Sequence, residues 1–240
     1  MKILKLTLFI FLLFLVFATC KKDKGMPTVT DVDGNVYHTV KIGTQTWMVE
    51  NLKTTHYKDN TPVTLITDNN LWKNAIAPGY CWYDNDIANK TLYGALYNGY
   101  AAHLNKIAPV GWHVPSKEEF QVLEDYLIAS GYNFDHTKTG DKIAKSIASN
   151  FGWLNYSSVP GCPGYEQQEN GKTGLKIPPG GWRSGGLGDF GEFSIVGYLW
   201  TSSTSQATSY FRSVVRENPS FFEQNTTEKN QGYSIRCIKD

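Results

Sequence analysis

The chain has 240 residues, a length that allows one large domain or two small ones. Hydrophobic residues make up 41% of it and charged residues 19%, which excludes disordered, collagen-like and coiled-coil proteins because each needs a strong compositional bias. The 23 basic and 22 acidic side chains give a formal net charge of +1, so no overall field attracts a polyanion. We therefore expect a globular protein that does not bind nucleic acid.

The N-terminus has the pattern of an export signal. Lys2 and Lys5 precede a nearly unbroken apolar run over residues 6–17. This run is too short to cross a membrane, which takes about 20 helical residues, but it suits the apolar part of a secretory signal. A buried core helix is disfavoured because the run lacks a polar face. We predict a signal peptide over residues 1–19.

The end of the apolar run resembles a bacterial lipobox, in which small residues lead into a cysteine that is lipidated after cleavage. The residues are Phe17, Ala18, Thr19 and Cys20, and the first and third of them depart from the commonest pattern. The preferred interpretation is a lipid on Cys20 and a short tether over residues 20–30, which would hold the protein on a membrane. Ordinary cleavage near Ala18, leaving Cys20 as a free thiol, is the alternative.

A β-hairpin is predicted where the folded part begins. Residues 31–35 read Asp-Val-Asp-Gly-Asn, which favours a turn, and residues 36–42 have the composition of a strand. Gly43 breaks this strand before a second one over residues 45–49. The Asp-x-Asp-Gly-Asn sequence also begins like a calcium loop, but the twelfth position is Ile42 where a Glu is needed. The turn is therefore favoured over a metal site.

Loops and one clear helix follow. Residues 62–105 are rich in Asn, Tyr and Trp without helical periodicity, which predicts packed loops with short strands. Ser116 and Glu119 then form a capping box, and residues 130–131 supply a helix end. Apolar side chains recur between them at helical spacing: Phe120, Val122, Leu123, Tyr126 and Leu127. One amphipathic helix is predicted here.

The C-terminal part is predicted to be mainly strands and irregular chain. A shorter helix is expected over residues 141–149, and the Gly- and Pro-rich residues 152–194 predict little regular structure. Three closing strands are predicted over residues 198–203, 210–216 and 232–239. Because no repeat or shift in composition divides the body, we expect one domain over residues 31–240.

Three cysteines remain for the folded body, at positions 81, 162 and 237. They are far apart in sequence and show no ligand spacing with each other or with histidine, so a zinc site is not supported. An odd number cannot pair fully within one chain. Structural thiols, or one bridge with one cysteine left over, are the alternatives, and both are preferred to a redox role.

Several phrases of the sequence together resemble a known family. They are Asp33-Gly34-Asn35, Gln45-Thr46-Trp47-Met48, Tyr97-Asn98, Pro109-Val110-Gly111-Trp112-His113-Val114-Pro115-Ser116, Trp200-Thr201-Ser202-Ser203 and Gly232-Tyr233-Ser234-Ile235-Arg236-Cys237. In this order, and over residues 31–240, they resemble the Fibrobacter succinogenes major paralogous domain of exported bacterial proteins. The resemblance implies an α+β fold: a single C-type-lectin-like domain with short antiparallel strands, one to two helices and long irregular loops.

The chain departs from this family at two positions. A cysteine usual before the Pro-x-Gly-Trp phrase is Ala108 here, so a bridge from that point to Cys237 cannot form. If Cys237 is bridged, its partner is Cys162 or Cys81. We take the pair Cys162 and Cys237 as the possible disulfide. The tryptophan usual after Tyr-Asn is Gly99, which removes a large aromatic side chain.

No local signature of catalysis is present. The sequence has no Gly-x-Ser-x-Gly elbow, His-Glu-x-x-His helix or phosphate-binding loop. The stretch around His113 is similar to formylglycine-generating proteins, but their copper chemistry needs paired cysteines, and Cys237 has no near neighbour. We interpret His113 as a structural histidine ahead of a helix and residues 201–203 as part of a strand. No enzyme activity, metal or cofactor is expected.

The aromatic surplus favours a binding role. Tryptophan and tyrosine rings stack on sugars when exposed, although most rings in a loop-rich fold fill its core. The ligand-binding candidates are the rings of the loop region and their neighbouring arginine: Trp72, Trp82, Tyr83, Trp182 and Arg183.

The function expected from the sequence is that of a cell-envelope lipoprotein, placed at the outer membrane, whose domain binds or scaffolds a polysaccharide or an outer-membrane protein. A hydrolytic or modifying enzyme of the same fold and a structural subunit of an outer-membrane complex are the alternatives.

Overall fold

The computed structural model describes residues 25–155, 158–205, 208–215, 217–226 and 228–240. The predicted signal peptide and Cys20 lie outside these residues. None of the helices within the described ranges has the length and apolar character needed to cross a membrane.

The fold combines many short strands with few helices. The strands are β1 (Thr28–Thr30), β2 (Val36–Ile42), β3 (Gln45–Met48), β4 (Thr64–Leu65), β5 (Gly79–Cys81), β6 (Leu96–Asn98), β7 (Trp112–His113), β8 (Gly180–Arg183), β9 (Phe190–Phe193), β10 (Val196–Ser205), β11 (Thr208–Val215), β12 (Phe221–Thr226), β13 (Gly232–Tyr233) and β14 (Ile238–Lys239). The helices are α1 (Asn69–Lys73), α2 (Lys90–Tyr93), α3 (Gly99–Ala102), α4 (Lys117–Ala129) and α5 (Ala144–Ile147). This content agrees with the α+β class predicted from the sequence.

The strands form two sheets. The smaller has the order β1-β2-β3-β14-β7, and the larger runs β12-β11-β10-β8-β13-β6-β5-β4 with β9 added to β8. Strand β14 lies antiparallel to β3 and to β7, so Ile238 faces both Trp47 and His113. The C-terminal strand therefore closes the sheet that the N-terminal hairpin begins, and the loops of the domain lie between these paired ends.

The predicted hairpin is confirmed, and its turn has a clear physical cause. The carboxylate of Asp31 accepts hydrogen bonds from the amides of Asp33 (3.0 Å) and Asn35 (2.9 Å) and from the Tyr37 hydroxyl (2.5 Å). Gly34 adopts a φ of +79°, which glycine reaches without strain. The Asp-x-Asp-Gly-Asn sequence thus forms a turn, and the carboxylate of its first residue accepts hydrogen bonds from the turn itself and from the strand that follows.

The sheet begins earlier than the sequence predicted. Strand β1 pairs with β2, with Thr28 opposite His38 and Thr30 opposite Val36. Its three residues fall within the tether predicted over residues 20–30. These three residues belong to the sheet and not to the tether, because the edge of β2 offers unpaired backbone groups to which they can bond. This pairing with residues elsewhere in the chain cannot be read from the local composition.

Helix α4 follows its prediction closely. The Ser116 hydroxyl accepts a hydrogen bond from the Glu119 amide (3.1 Å), and the Glu119 carboxylate accepts one from the Ser116 amide (2.8 Å). The helix ends before Gly131, whose φ is +79°. Its buried face is narrower than predicted, since Val122 and Tyr126 are 50% and 44% exposed. The buried residues are Phe120, Leu123 and Leu127.

One other sequence prediction is corrected, and the prediction of little regular structure over residues 152–194 is confirmed. The helix expected over residues 141–149 is only one turn, α5, because Ala148 forms a parallel bridge with Ile177 and the Ser149 amide donates to the Ile177 carbonyl. The stretch over residues 152–194 contains β8 and β9, and Gly181 brings the two strands together. A Cβ at Gly181 would lie 2.4 Å from the Gly191 carbonyl oxygen, so only glycine fits there.

Most of the aromatic side chains fill the core, as expected. Trp47 and Trp200 are wholly buried in the two large clusters, and the Trp200 indole donates a hydrogen bond to the Tyr97 carbonyl (2.7 Å). A third, smaller cluster contains Trp72, Cys81 and Leu96. With few long helices, large rings supply much of the apolar area that stabilises the domain.

The disulfide candidate is corrected. Cys81, Cys162 and Cys237 are all buried thiols in the structure, which is the structural-thiol alternative. Cys237 belongs to the largest core cluster, where burial raises the pKa of its thiol. Cys162 lies in a separate turn, where its amide donates to the Val159 carbonyl (3.3 Å). The two side chains are therefore held in different environments and form no bridge.

Candidate functional site

The ligand-binding candidates from the sequence are largely internal. Trp72 and Arg183 are wholly buried, Trp82 is 5% exposed, and Tyr83 and Trp182 are half-buried. The expectation of exposure is therefore wrong for Trp72, Trp82 and Arg183, whereas Tyr83 and Trp182 keep part of their surface in solvent. Trp72 is internal because the Arg183 guanidinium covers its ring.

Arg183 nevertheless explains how the loops of this region are held. Its guanidinium carbon lies 4.6 Å from the centre of the Trp72 ring and 4.8 Å from that of Phe190. Its Nε donates to the Gly188 carbonyl (2.8 Å) and its Nη2 to the Thr67 carbonyl (2.9 Å). Further hydrogen bonds reach the carbonyl of residue 66 and the side chain of residue 69. One buried cation thus joins two loops that are distant in sequence.

The two loops approach each other closely at this point. A Cβ at Gly188 would lie 2.3 Å from the Asn69 carbonyl oxygen, and Gly188 has a φ of +81°. Helix α1 starts here because the Asp68 side chain accepts a hydrogen bond from the Leu71 amide (2.9 Å). The short helix is therefore fixed at its start by a cap, on its inner side by Trp72, and at its flank by the loop around Gly188.

Next to this junction lies an open cleft of about 630 Å³. Its lining comes from the end of α1 and the loop after it, from α3, and from the turn before β13: Lys73, Asn74, Ala75, Ile76, Tyr100, Glu228, Lys229 and Asn230. We call this the three-loop cleft. Its residues are dispersed over the chain, so no local pattern in the sequence indicates it.

Gly99 makes room for one wall of the three-loop cleft. Its amide donates to the Lys229 carbonyl (2.6 Å), and a Cβ on Gly99 would lie 3.0 Å from that same oxygen. A larger side chain at this position would press on the backbone of the turn. The sequence showed Gly99 as a departure from the expected aromatic residue, and only the structure shows that it lies beside the cleft.

The other walls are held by two asparagines. Asn98 is wholly buried, accepts from the amides of Gly79 (3.1 Å) and Ala101 (3.0 Å), and thereby fixes α3 and Tyr100 against the loop after α1. The Asn230 side chain donates to the carbonyls of residues 73 and 185, at 2.5 Å and 2.7 Å. The cleft is thus built on side chains whose own polar groups are satisfied.

The lining has the chemistry of a site for a polar, ring-shaped ligand. The half-buried Tyr100 offers an aromatic surface, and amides, ammonium groups and one carboxylate stand beside it. Among the described residues of the lining, Glu228 is the only acid. Cleavage of a glycosidic bond by the usual mechanism uses two carboxyl groups, so this lining suits holding a sugar better than hydrolysing it.

His113, the histidine singled out in the sequence, has a structural position. Its Nδ1 lies 2.6 Å from an Asp240 carboxylate oxygen and its Nε2 2.8 Å from one of Glu119. Burial lowers its pKa, but the hydrogen bonds to both carboxylates outweigh burial and raise the pKa above the ordinary value. An imidazolium donating from both nitrogens has no lone pair with which to accept a proton.

A second pocket, of about 320 Å³, brings His113 together with His103 and Ser202. Burial lowers the pKa of His103, and the nearby Thr201 backbone only partly opposes this. Both ring nitrogens of His103 are buried, and within the described part of the chain neither forms a well-aligned hydrogen bond. The two imidazoles of this pocket therefore differ: both nitrogens of His113 are held by carboxylates, whereas those of His103 are buried beside the pocket wall.

Within the described ranges, no group of three or more histidine, cysteine, aspartate or glutamate side chains is placed to hold a metal ion. Comparison with curated proteins and with solved structures finds no match. The chain does match the Fibrobacter succinogenes major domain over residues 40–239, which is most of its length. This protein therefore belongs to the Fibrobacter succinogenes major domain family.

Proposed function

We propose that this protein is a binding module of the cell envelope and that its three-loop cleft holds a glycan. The observation that carries the proposal is the combination of a half-buried Tyr100, two asparagines and charged side chains around an open cleft. Sugar rings have apolar C–H faces that stack on tyrosine and hydroxyls that pair with amides and carboxylates. An open cleft suits a polymer because the chain can continue beyond the residues that are held.

A C-type-lectin-like arrangement is part of the same proposal. It is supported by the pairing of β14 with β3, which joins the two ends of the domain and leaves long loops between them. It is also supported by the position of the cleft, whose walls come from these loops. The proposal is one of binding without catalysis, since the described lining of the three-loop cleft carries a single acid where glycoside cleavage ordinarily uses two.

The N-terminal sequence supports a location in the cell envelope. We propose that Cys20 carries a lipid in the outer membrane and that the protein is held there. Cys20 precedes Thr28 by eight residues, which can span at most about 29 Å when extended. A domain on such a short tether would stay close to the bilayer. Mass spectrometry of the mature N-terminus is expected to find a diacylglyceryl-modified Cys20, and an unmodified cysteine there would reject the anchor.

The glycan site is tested by a polysaccharide and oligosaccharide array with matched tyrosine variants. Tyr100→Ala should weaken binding about tenfold, because stacking of an aromatic ring contributes about 1 kcal/mol or more. Tyr126→Ala is the control, since that ring is also partly exposed but lies on α4, outside the cleft. Both variants should unfold at urea concentrations close to the wild-type value.

Two results would overturn the proposal. One is an array on which the wild-type protein binds no glycan. The other is a bound glycan whose affinity falls equally in Tyr100→Ala and Tyr126→Ala, which would place the contact elsewhere.

A further inference from the structure

A third pocket is separate from the three-loop cleft and from the pocket that contains His103 and His113. It differs from the cleft in chemistry and shares no lining residue with it. Its volume is about 320 Å³, at the lower end of the range for small-molecule sites. Half of its lining residues are apolar, namely Met26, Val49, Leu92, Phe151 and Pro178. Met26 and Leu92 are 54% and 56% exposed, so apolar surface is available at its mouth. We call this the apolar pocket.

A buried cation lies at the base of the apolar pocket. Arg236 lines it and is wholly buried. Its Nε and Nη2 donate to the Asn51 side-chain oxygen at 3.1 Å and 2.7 Å, and its Nη1 donates to the Leu175 carbonyl. Burial lowers its pKa to about 9, which leaves it charged at neutral pH. All these acceptors are neutral, whereas a buried charge is ordinarily compensated by an opposite one.

A second cation stands at the edge of the same pocket. Lys176 is exposed and, among the described residues, forms no ion pair. Its backbone has a φ of +53°, a left-handed conformation that is strained for a residue with a side chain. Arg236 donates to the carbonyls of Leu175 and Lys176 and so holds this turn. Strain of this kind is often kept where it positions a functional group.

The remaining ionisable groups of the apolar pocket are a pair. The Glu50 carboxylate accepts from the His38 amide (2.8 Å) and lies 2.7 Å from the His38 Nδ1. Glu50 also attracts Arg236 at longer range. Two cations and one carboxylate therefore leave one positive charge of the pocket without a partner. The pocket combines an apolar wall with an excess of positive charge.

We propose that the apolar pocket binds a small anionic amphiphile, represented by a medium-chain fatty carboxylate. The carboxylate head lies at Lys176, in the field of Arg236, and the hydrocarbon chain packs against Leu92 and Phe151. The ligand would remove apolar surface from water and supply the negative charge that the pocket lacks. The proposal concerns a site separate from the glycan cleft, so it stands or falls independently of it.

Titration calorimetry with decanoate, kept below its micelle concentration, tests the proposal. The protein carries Cys20→Ser, so that no acyl chain of its own competes. We expect saturable binding of decanoate and at least about tenfold weaker binding of decanol, which has the same chain but no charge. Changes in the NMR signals of the Met26 and Leu92 methyl groups should accompany decanoate binding and locate it.

Matched variants then separate charge from apolar contact. Lys176→Gln should weaken decanoate about fivefold, and Lys41→Gln, at an exposed lysine outside the pocket, should leave it unchanged. Leu92→Asp should abolish binding because it places a carboxylate at the mouth.

The proposal is overturned if decanoate causes neither heat nor methyl shifts, if decanol binds as tightly as decanoate, or if the two lysine variants behave alike. Urea unfolding without ligand checks that each variant is folded.

Discussion

Replacing Arg183 by methionine is the sharpest test of how the loops around the three-loop cleft are held. The change keeps an unbranched side chain of comparable length but removes the charge and every donor. The Thr67 carbonyl would retain a hydrogen bond from Asn85 (3.0 Å). The Gly188 carbonyl and the Asn69 side-chain oxygen would lose the bonds that Arg183 now makes at 2.8 Å and 3.1 Å.

The size of the effect follows from these contacts. Each buried acceptor left without a donor costs about 1–3 kcal/mol, and removal of Arg183 leaves two such carbonyls, that of the buried Gly188 and that of the half-buried Ile66. Its stacking between two rings contributes roughly 1–2 kcal/mol more when desolvated. Release of the buried charge offsets part of this sum. We expect Arg183→Met to lower the free energy of unfolding by about 3–5 kcal/mol, which is a large part of the stability of a typical domain.

Urea unfolding followed by tryptophan fluorescence measures this change. With the unfolding slope expected for a chain of this size, the midpoint should fall by about 1–2 M. Hydrogen exchange adds a local readout, since the amides of Leu71 and Trp72 in α1 should lose protection first. Arg183→Lys is the control: it keeps the charge but cannot reach all the acceptors, so its midpoint should lie between the other two. Equal midpoints for wild type and Arg183→Met would refute the reasoning.

Three further predictions concern pH and capping. His113→Gln should destabilise the protein more at pH 5.5 than at pH 9. The pKa of His113 is raised in the folded state, so the protonated imidazole stabilises the fold fully below the unfolded-state pKa, and this stability is lost as pH rises through the folded-state pKa. Equal losses of stability at both pH values in urea melts would contradict this prediction. His103 has a lowered pKa, so the sign reverses: wild type should lose stability as pH falls below about 6.5, and His103→Phe, which keeps a ring beside Trp200, should reduce that loss. Unchanged acid sensitivity of the Phe variant would exclude this source. Ser116→Ala should lower the free energy of unfolding by about 1 kcal/mol through loss of the capping box, and Ser116→Thr, which can cap, should not.

Local chemistry was readable from the sequence because neighbours along the chain decide it. The hairpin turn depends on Asp31 and Gly34, which lie three residues apart. The start of α4 depends on Ser116 and Glu119, also three apart. In such cases each partner is close whatever the rest of the fold does. The phrases from Asp33 to Cys237 also sufficed to indicate the family.

Predictions failed where burial depended on distant partners. Trp72 and Arg183 were expected at the surface because they stand in loops, but Arg183 finds acceptors in residues 66–69, more than a hundred positions away. The one-turn α5 stops because Ala148 meets Ile177. Neither contact produces a periodic pattern in the sequence, since a single hydrogen bond or bridge needs only one residue at each end.

The sequence by itself therefore determined the composition class, the hairpin, the main helix and the family. Only the tertiary structure decided which rings are internal, that the cysteines remain thiols, and that Tyr100 and Asn230 meet in one cleft. The physical reason is the range of the interactions. Turns and caps are set within a few residues, whereas a cleft exists only where loops distant in sequence are brought together by the packing of both sheets.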